Sequence, residues 1–374
     1  MGLEVGTSMN NKSKKISPTQ LFFFIIQTQI GVGILSLPYT MAKVAKVDGW
    51  ISLIFGGIVL QVFILIYFVI MKKFPNKKVK EIVELLFGKN IRRLFEVGIM
   101  LYSIMIAILV LELFTRMLDR WVLPETPNWI ISLLMIICVY FLAKEEIRVI
   151  ARFNVIVSWF LFILLGLIIY SLKDANIYYI MPITSTGWKD ILIGAKDAII
   201  AMIGFEVIMF LPAMTSGSIN TKFKIITATN IVVTLFYSFV TLVCYLFFSP
   251  TDILLIPEPV LYLIKAFSFK ILERTDLIFL SLWIVSVFTT IVSYVFWGAD
   301  CIKGLFKSNK SSRNTFIILA IIYFGSQIPF DTEESMVQFS KYASYAGYLI
   351  ISIPFILIPF VLFSRKGQQH VEES

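Results

Sequence analysis

The sequence predicts an all-α integral membrane protein whose ten transmembrane helices form an inverted 5+5 repeat, with helices 1 and 6 discontinuous. Three observations predict it. Of 374 residues, 58% are hydrophobic and 15% charged, with a mean hydropathy of +0.86, whereas soluble domains are roughly 45–50% apolar. Ten apolar stretches, near 19–43, 50–71, 95–118, 128–143, 149–172, 190–213, 224–249, 276–301, 314–329 and 338–363, approach the about 20 residues that a spanning helix needs. The first and sixth of them carry matching breakers, "IGVGILSLP" at Ile30–Pro38 and "IGFEVIMFLP" at Ile203–Pro212.

Span 1 is too long for the core of a signal peptide and no small-residue cleavage site follows it, so it is expected to act as its own insertion signal. Lysine and arginine set the orientation. Of 33 such residues, 22 fall in the N-terminal tail and in the loops after the even-numbered spans, which predicts that both termini are cytoplasmic. The expected organisation is a cytoplasmic tail over 1–16, one five-helix repeat over 17–173, a second over 174–363, and a cytoplasmic tail over 364–374. The loop over 71–93 after span 2 is dense in lysine and arginine and carries Val79, Ile82, Val83, Leu85 and Leu86. This basic amphipathic pattern predicts a segment lying against anionic lipid.

The break in span 1 has a physical use. At Gly31 and Gly33 the backbone leaves the helical region without a Cβ penalty, and a ligand can approach the main chain. Freed amides and carbonyls are tolerated at membrane depth only where protein, water or ligand satisfies them. A half-helix starting near Ile34 offers amides and a positive dipole end to a carboxylate, and carbonyls before Gly204 can accept from an ammonium. The alternative reading is close helix packing or a simple kink. Because the two interrupted spans lie an odd number of spans apart, they cross in opposite directions, as in transporters that bind ligands between broken helices at the midplane.

The other spans add candidates in order. In span 3, Tyr102 and Ser103 lie near mid-membrane, and Glu112 is placed one turn before Arg116 as a partner. Span 4 adds none. Midway along span 5, "VIVSWFLFILLGLIIY" has no basic residue. In span 6, Glu206 is an intramembrane carboxylate and so a functional candidate, expected to act as a gate or to form an ion pair with a basic residue; Lys196 and Asp197 lie nearer the surface. In span 8, Ser286, Thr289, Thr290 and Ser293 recur at three, four and seven residues and share a face. That stripe can line a cavity, hold an ion, or bond its own helix carbonyls; the ion site, if one exists, would use Ser286, Thr290 and Ser293.

Several function classes are excluded or weak. The net charge of +9 follows membrane topology, not an aromatic-interleaved basic domain, so nucleic acid is not an expected partner. Cys138, Cys244 and Cys301 are odd in number and sit in or beside apolar spans, which excludes a disulfide framework. The single histidine, His370, is in the polar tail. No metal cluster, nucleophile–base pair or phosphate loop is present, so no metal, cofactor or enzymatic chemistry is expected.

Taken together, "ISPTQLFFFIIQTQIGVGILSLP", "DGW" at Asp48–Trp50, "IGFEVIMFLPAM" and "FTTIVSY" resemble the B subunit of GerA-type nutrient germinant receptors. That is the spore germination permease family, within the amino acid/polyamine/organocation superfamily. The resemblance spans essentially the whole chain. It implies a LeuT-like fold, that of the sodium-coupled amino acid carriers, with a small nutrient such as an amino acid held between helices 1 and 6 and flanked by 3 and 8. On this chain the resemblance places such a site on Gly31, Val32, Gly33, Ile34, Ile203, Gly204, Phe205, Thr289 and Thr290, to which the reading of span 3 adds Tyr102 as a ligand-binding candidate. The resemblance also implies a spore inner-membrane location and two partners, an A-type membrane subunit and a C-type lipoprotein. Proton-coupled relatives resemble one another in a basic residue midway along span 5; its absence here weighs against coupled transport. A ligand sensor is favoured, and a secondary amino acid transporter is the alternative.

Overall fold

The computed structural model describes residues 15–266, 274–308, 310–328 and 332–364. Most of both expected tails, residues 1–14 and 365–374 with His370, lies outside the described residues. Helices dominate. In chain order they are α1 (Pro18–Gln29), α2 (Leu37–Ala45), α3 (Gly49–Lys73), α4 (Val79–Phe87), α5 (Lys89–Trp121), α6 (Asn128–Ala143), α7 (Ile147–Val157), α8 (Trp159–Tyr170), α9 (Trp188–Ala201), α10 (Ile219–Phe247), α11 (Pro259–Lys265), α12 (Thr275–Phe306), α13 (Ser311–Ser326) and α14 (Glu333–Phe363).

Local sequence sets several helix starts. Ser17 and Gln20 exchange hydrogen bonds in a capping box, with Pro18 at the first position of α1. Ser218 and Thr332 accept from the amides of Thr221 and Ser335 to cap α10 and α14. Six stretches are long and apolar enough to cross a membrane: Leu37–Lys73, Lys89–Trp121, Ile147–Asp174, Ile219–Phe247, Thr275–Phe306 and Glu334–Phe363. The other four expected spans are either broken (the first and the sixth) or short (α6 and α13). Two features were not expected from sequence: the short loop helix α11, and an interruption of the fifth span at Ser158 between α7 and α8.

The inverted repeat is visible in which helices touch. Exchanging the halves maps α1 against α10 onto α9 against α3, and α5 against α13 onto α12 against α6; the pairs α5–α12, α3–α10 and α6–α13 map onto themselves. Broken helices therefore sit at the centre, with α5, α12, α3 and α10 packed around them. Bulky apolar side chains such as Leu134, Trp159 and Phe162 point outward, as expected of lipid-facing surface.

One end of the bundle gathers the basic segment, and part of its charge is turned inward. Val79, Ile82 and Val83 bury one side of α4. Lys78 and Lys80 reach Asp300 at 2.9 and 2.7 Å, Lys80 also meets the fully buried Glu96 at 3.2 Å, and Arg92 meets Glu84 at 3.3 Å. Burial works against the Lys80 charge, but Asp300 and Glu96 outweigh it and hold the ammonium pKa above its usual value. These ion pairs fasten α4 to α5 and α12. Lys89 and Arg93 remain exposed.

Candidate functional site

The first break begins where α1 ends. Ile30 (ψ 85°) and Gly31 (φ −122°, ψ −141°) leave the helical region, Val32–Leu35 forms a 3₁₀ turn, and α2 restarts at Leu37. Carbonyls freed there find donors on other helices. Tyr237 Oη donates to Gln29 O at 2.7 Å and Trp283 Nε1 to Gly31 O at 3.4 Å; beyond the break, Tyr245 Oη donates to Pro38 O in the first turn of α2 at 3.0 Å. Such pairing is what makes non-helical backbone affordable at membrane depth.

The second break mirrors the first. After α9 the chain turns at Gly204 (φ +119°) into two 3₁₀ turns, Phe205–Met209 and Leu211–Met214. Glycine is required twice over: by its φ, and because a Cβ would lie 2.7 Å from Thr28 O and 2.8 Å from Gln29 Cα. The two breaks thus cross backbone against backbone. Gln29 Nε2 fastens the crossing by donating to Met202 O at 3.0 Å.

Glu206 lies within the second break, 1% exposed. Its Oε1 accepts from Tyr102 at 2.8 Å and Tyr294 at 2.6 Å, and its Oε2 from the Gly204 amide at 2.7 Å. The expected ion pair is not formed: among the described residues no lysine or arginine reaches it, and hydroxyls and an amide satisfy the carboxylate. Glu112 does meet Arg116, at 3.9 Å.

The hydroxyls of α12 bind the first span tightly. Thr290 Oγ1 lies 3.1 Å from Gln27 O, 3.3 Å from Thr28 O and 3.1 Å from Ser286 O. Thr289 donates to the Gln27 side-chain oxygen at 3.0 Å, and Ser293 and Thr28 share a 2.8 Å hydrogen bond. Gln27 completes the set by donating to Ser158 at 3.1 Å, at the interruption of the fifth span.

A cavity of about 560 Å³ opens between these elements on the face opposite the basic one. Of the predicted residues, Gly31, Val32, Gly33, Ile203 and Thr290 line it; Ile34, Tyr102, Gly204, Phe205 and Thr289 do not, being packed behind the breaks or against α1. A Cβ at Gly33 would meet nothing within 4 Å, whereas one at Gly31 would lie 2.8 Å from Thr290 Oγ1. Ile106, Leu109, Val110 and Leu113 of α5 make an apolar wall, and Lys196, Asp197, Lys341 and Tyr348 stand toward the mouth. Tyr294 also lines the cavity and connects it to Glu206. At the basic face the passage is closed: Ile16 pairs with Met214 and Ser216 through two 2.9 Å backbone hydrogen bonds, forming a bridge to Thr215.

Sequence reasoning missed Gln27, Gln29, Tyr237 and Tyr294. A signal existed in the polar triplet "QTQ" directly before the first break, since amides buried at that depth must have partners.

The family model described as spore germination protein matches residues 15–335. The chain belongs to that family. It is 26% identical over 360 residues to spore germination protein A2 of Bacillus subtilis (strain 168), covering 94% of this chain and 96% of the relative. It is likewise 26% identical over 314 residues to spore germination protein GerQB of Bacillus cereus, covering 83% and 84%. Among solved structures, a Na⁺-coupled sialic acid symporter in a substrate-bound outward-open state aligns with a TM-score of 0.69 at 12% identity, covering 93% of this chain and 80% of that one. MhsT in complex with L-phenylalanine aligns with a TM-score of 0.65 at 14% identity, covering 91% and 89%. At such identities the likeness is one of fold: an all-helical membrane protein with a LeuT-like architecture.

Proposed function

We propose that this chain is the nutrient-binding membrane subunit of a spore germination receptor, holding a small molecule, in the first instance an amino acid, between its two broken helices. The observation that carries the reading is the cavity ending at the Gly31–Gly33 break, where backbone and not side chain forms the floor. The backbone entering α2, whose Pro38 has no amide of its own, supplies the remaining amides for a carboxylate, and the Ala201 carbonyl at the end of α9, beside the cavity, serves an ammonium. Thr290 and Ile203 flank the ligand, and the apolar wall of α5 receives its side chain. Gly204, Phe205, Ile34, Tyr102 and Thr289 shape the site from behind.

In this reading both termini are cytoplasmic, the repeats span 17–173 and 174–363, and the protein resides in the spore inner membrane. The cavity then faces outward while the Ile16–Thr215 bridge closes the cytoplasmic side. Ligand binding that favours one arrangement of the breaks shifts the equilibrium between states, and the change passes to an A-type membrane subunit and a C-type lipoprotein. The exposed charges of the 71–93 loop meet anionic lipid. The likeness to symporters favours one second reading, a secondary amino acid transporter. Purified protein screened with amino acids, sugars and nucleosides for thermal stabilisation, followed by uptake assays in proteoliposomes with and without ion gradients, separates them. Binding without uptake supports the sensor; gradient-driven accumulation supports the carrier; no stabilisation by any nutrient refutes both.

A further inference from the structure

A second pocket, of about 230 Å³, lies on the basic face, away from the cavity between the breaks. Its lining is cationic or neutral: Lys15, Arg148, Arg152, Ser17, Gln20 and Ser216. Three separate chain segments converge there, the entry and first turn of α1, the first half of α7, and the turn before α10.

Beside it, positive charge is crowded further. Lys222 is 2% exposed, and its ammonium reaches Asn76 Oδ1 at 3.2 Å. Lys15 reaches the same oxygen at 3.4 Å. Among the described residues neither ammonium meets a carboxylate within 4.0 Å, although the nearby α6–α7 loop carries the exposed acids Glu145 and Glu146. A buried charge ordinarily has a partner, and two ammoniums sharing one amide oxygen leave a surplus of positive potential at the pocket wall.

We propose that this pocket binds a phosphate group, and that its occupancy latches the basic face closed. Arginine forks and hydroxyls suit the several oxygens of a phosphate, and the volume admits the group with part of its ester substituent. The location supplies the latch. Lys15 adjoins Ile16, Ser216 is itself one of the two backbone partners of Ile16 and its hydroxyl donates to the same Ile16 O at 3.1 Å, and Arg148 Nε already donates to Lys15 O at 3.0 Å. An anion held by Lys15, Arg148 and Arg152 ties the segment before α1 to α7 across that bridge. Opening the basic face requires the two bridged segments to part, so a bound phosphate opposes opening. Two sources share this chemistry, the headgroup of an anionic phospholipid and free phosphate.

The test uses the full chain, purified in detergent and in nanodiscs. Thermal unfolding is followed against inorganic phosphate, with chloride at equal ionic strength as control, and in nanodiscs of phosphatidylglycerol or phosphatidylcholine. Stabilisation by phosphatidylglycerol but not by free phosphate assigns a lipid headgroup; stabilisation by both admits the free ion. In either case Arg152→Gln and Lys15→Gln should each weaken the effect about tenfold or more, the loss of one charge-assisted contact. Arg152 is exposed, so its variant keeps the fold. In a cysteine-free background, alkylation of Thr215→Cys should slow when phosphate or the anionic lipid is present. No stabilisation by either source, or full stabilisation in both variants, overturns the site; an unchanged alkylation rate overturns the latch.

Discussion

Replacing Gly33 by leucine separates folding from ligand binding. A Cβ at Gly33 meets no atom within 4 Å, and its φ lies outside the left-handed region, so the backbone tolerates a side chain there. The unfolded chain loses conformational freedom, which by itself stabilises by about 0.4–1 kcal/mol. Thermal unfolding in detergent should therefore be unchanged or slightly higher. Binding should behave differently, because four side-chain carbons then project into the 560 Å³ cavity where the nutrient meets the backbone. Overpacking of about 1–3 kcal/mol weakens affinity about 5- to 150-fold. The assay is a ligand titration by calorimetry on wild type and variant, each first shown to unfold cooperatively. A folded Gly33→Leu protein with wild-type affinity would refute the placement of the ligand at the first break.

Other substitutions test the supports of the site. Gly204→Ala should destabilise by about 2–5 kcal/mol through positive-φ strain and collision with the Thr28–Gln29 backbone; a thermal midpoint equal to wild type would show that the crossing is looser than described. Tyr294→Phe removes a 2.6 Å hydrogen bond to Glu206 and should cost about 1–2 kcal/mol while changing ligand affinity, since this ring also lines the cavity; a loss of stability with affinity intact would confine Tyr294 to support. Thr290→Val should lower stability by about 1 kcal/mol and alter nutrient preference, whereas Thr289→Val should change stability alone; equal ligand profiles in both would assign Thr290 to packing. Lys80→Met leaves Glu96 buried with its nearest remaining cation, Arg92, at 3.9 Å and should cost about 1–3 kcal/mol, measured by thermal unfolding; no loss would show that the α4 ion pairs contribute nothing net.

The fold was legible because its signals are local. Apolar run lengths mark the spans, and glycine and proline inside two of them mark the breaks with nearly their observed limits. What was not legible depends on distant pairing. For Glu206 the sequence suggests a gate or one half of an ion pair, since a carboxylate within a span needs a partner; its partners are hydroxyls 104 and 88 residues away and a neighbouring amide, and the gate reading is left open by them. Tyr102 turns toward that carboxylate and not toward the cavity. The hydroxyls of α12 admit three uses in the sequence, and only the register of α12 against α1 shows where each sits: Thr290 lines the cavity while also bonding the Gln27 and Thr28 carbonyls, and Thr289 and Ser293 bond to Gln27 and Thr28. The interruption at Ser158 carries no glycine or proline, so composition held no sign of it.

The most direct test places a cysteine at Gly33 in a background lacking Cys138, Cys244 and Cys301, and follows its alkylation by a water-soluble maleimide with and without a nutrient that stabilises the protein. Labelling in the absence of nutrient, slowed in proportion to nutrient occupancy, is expected if the ligand rests on the first break. A nutrient that binds, as shown by the thermal shift of the same variant, yet leaves the labelling rate unchanged would contradict that site.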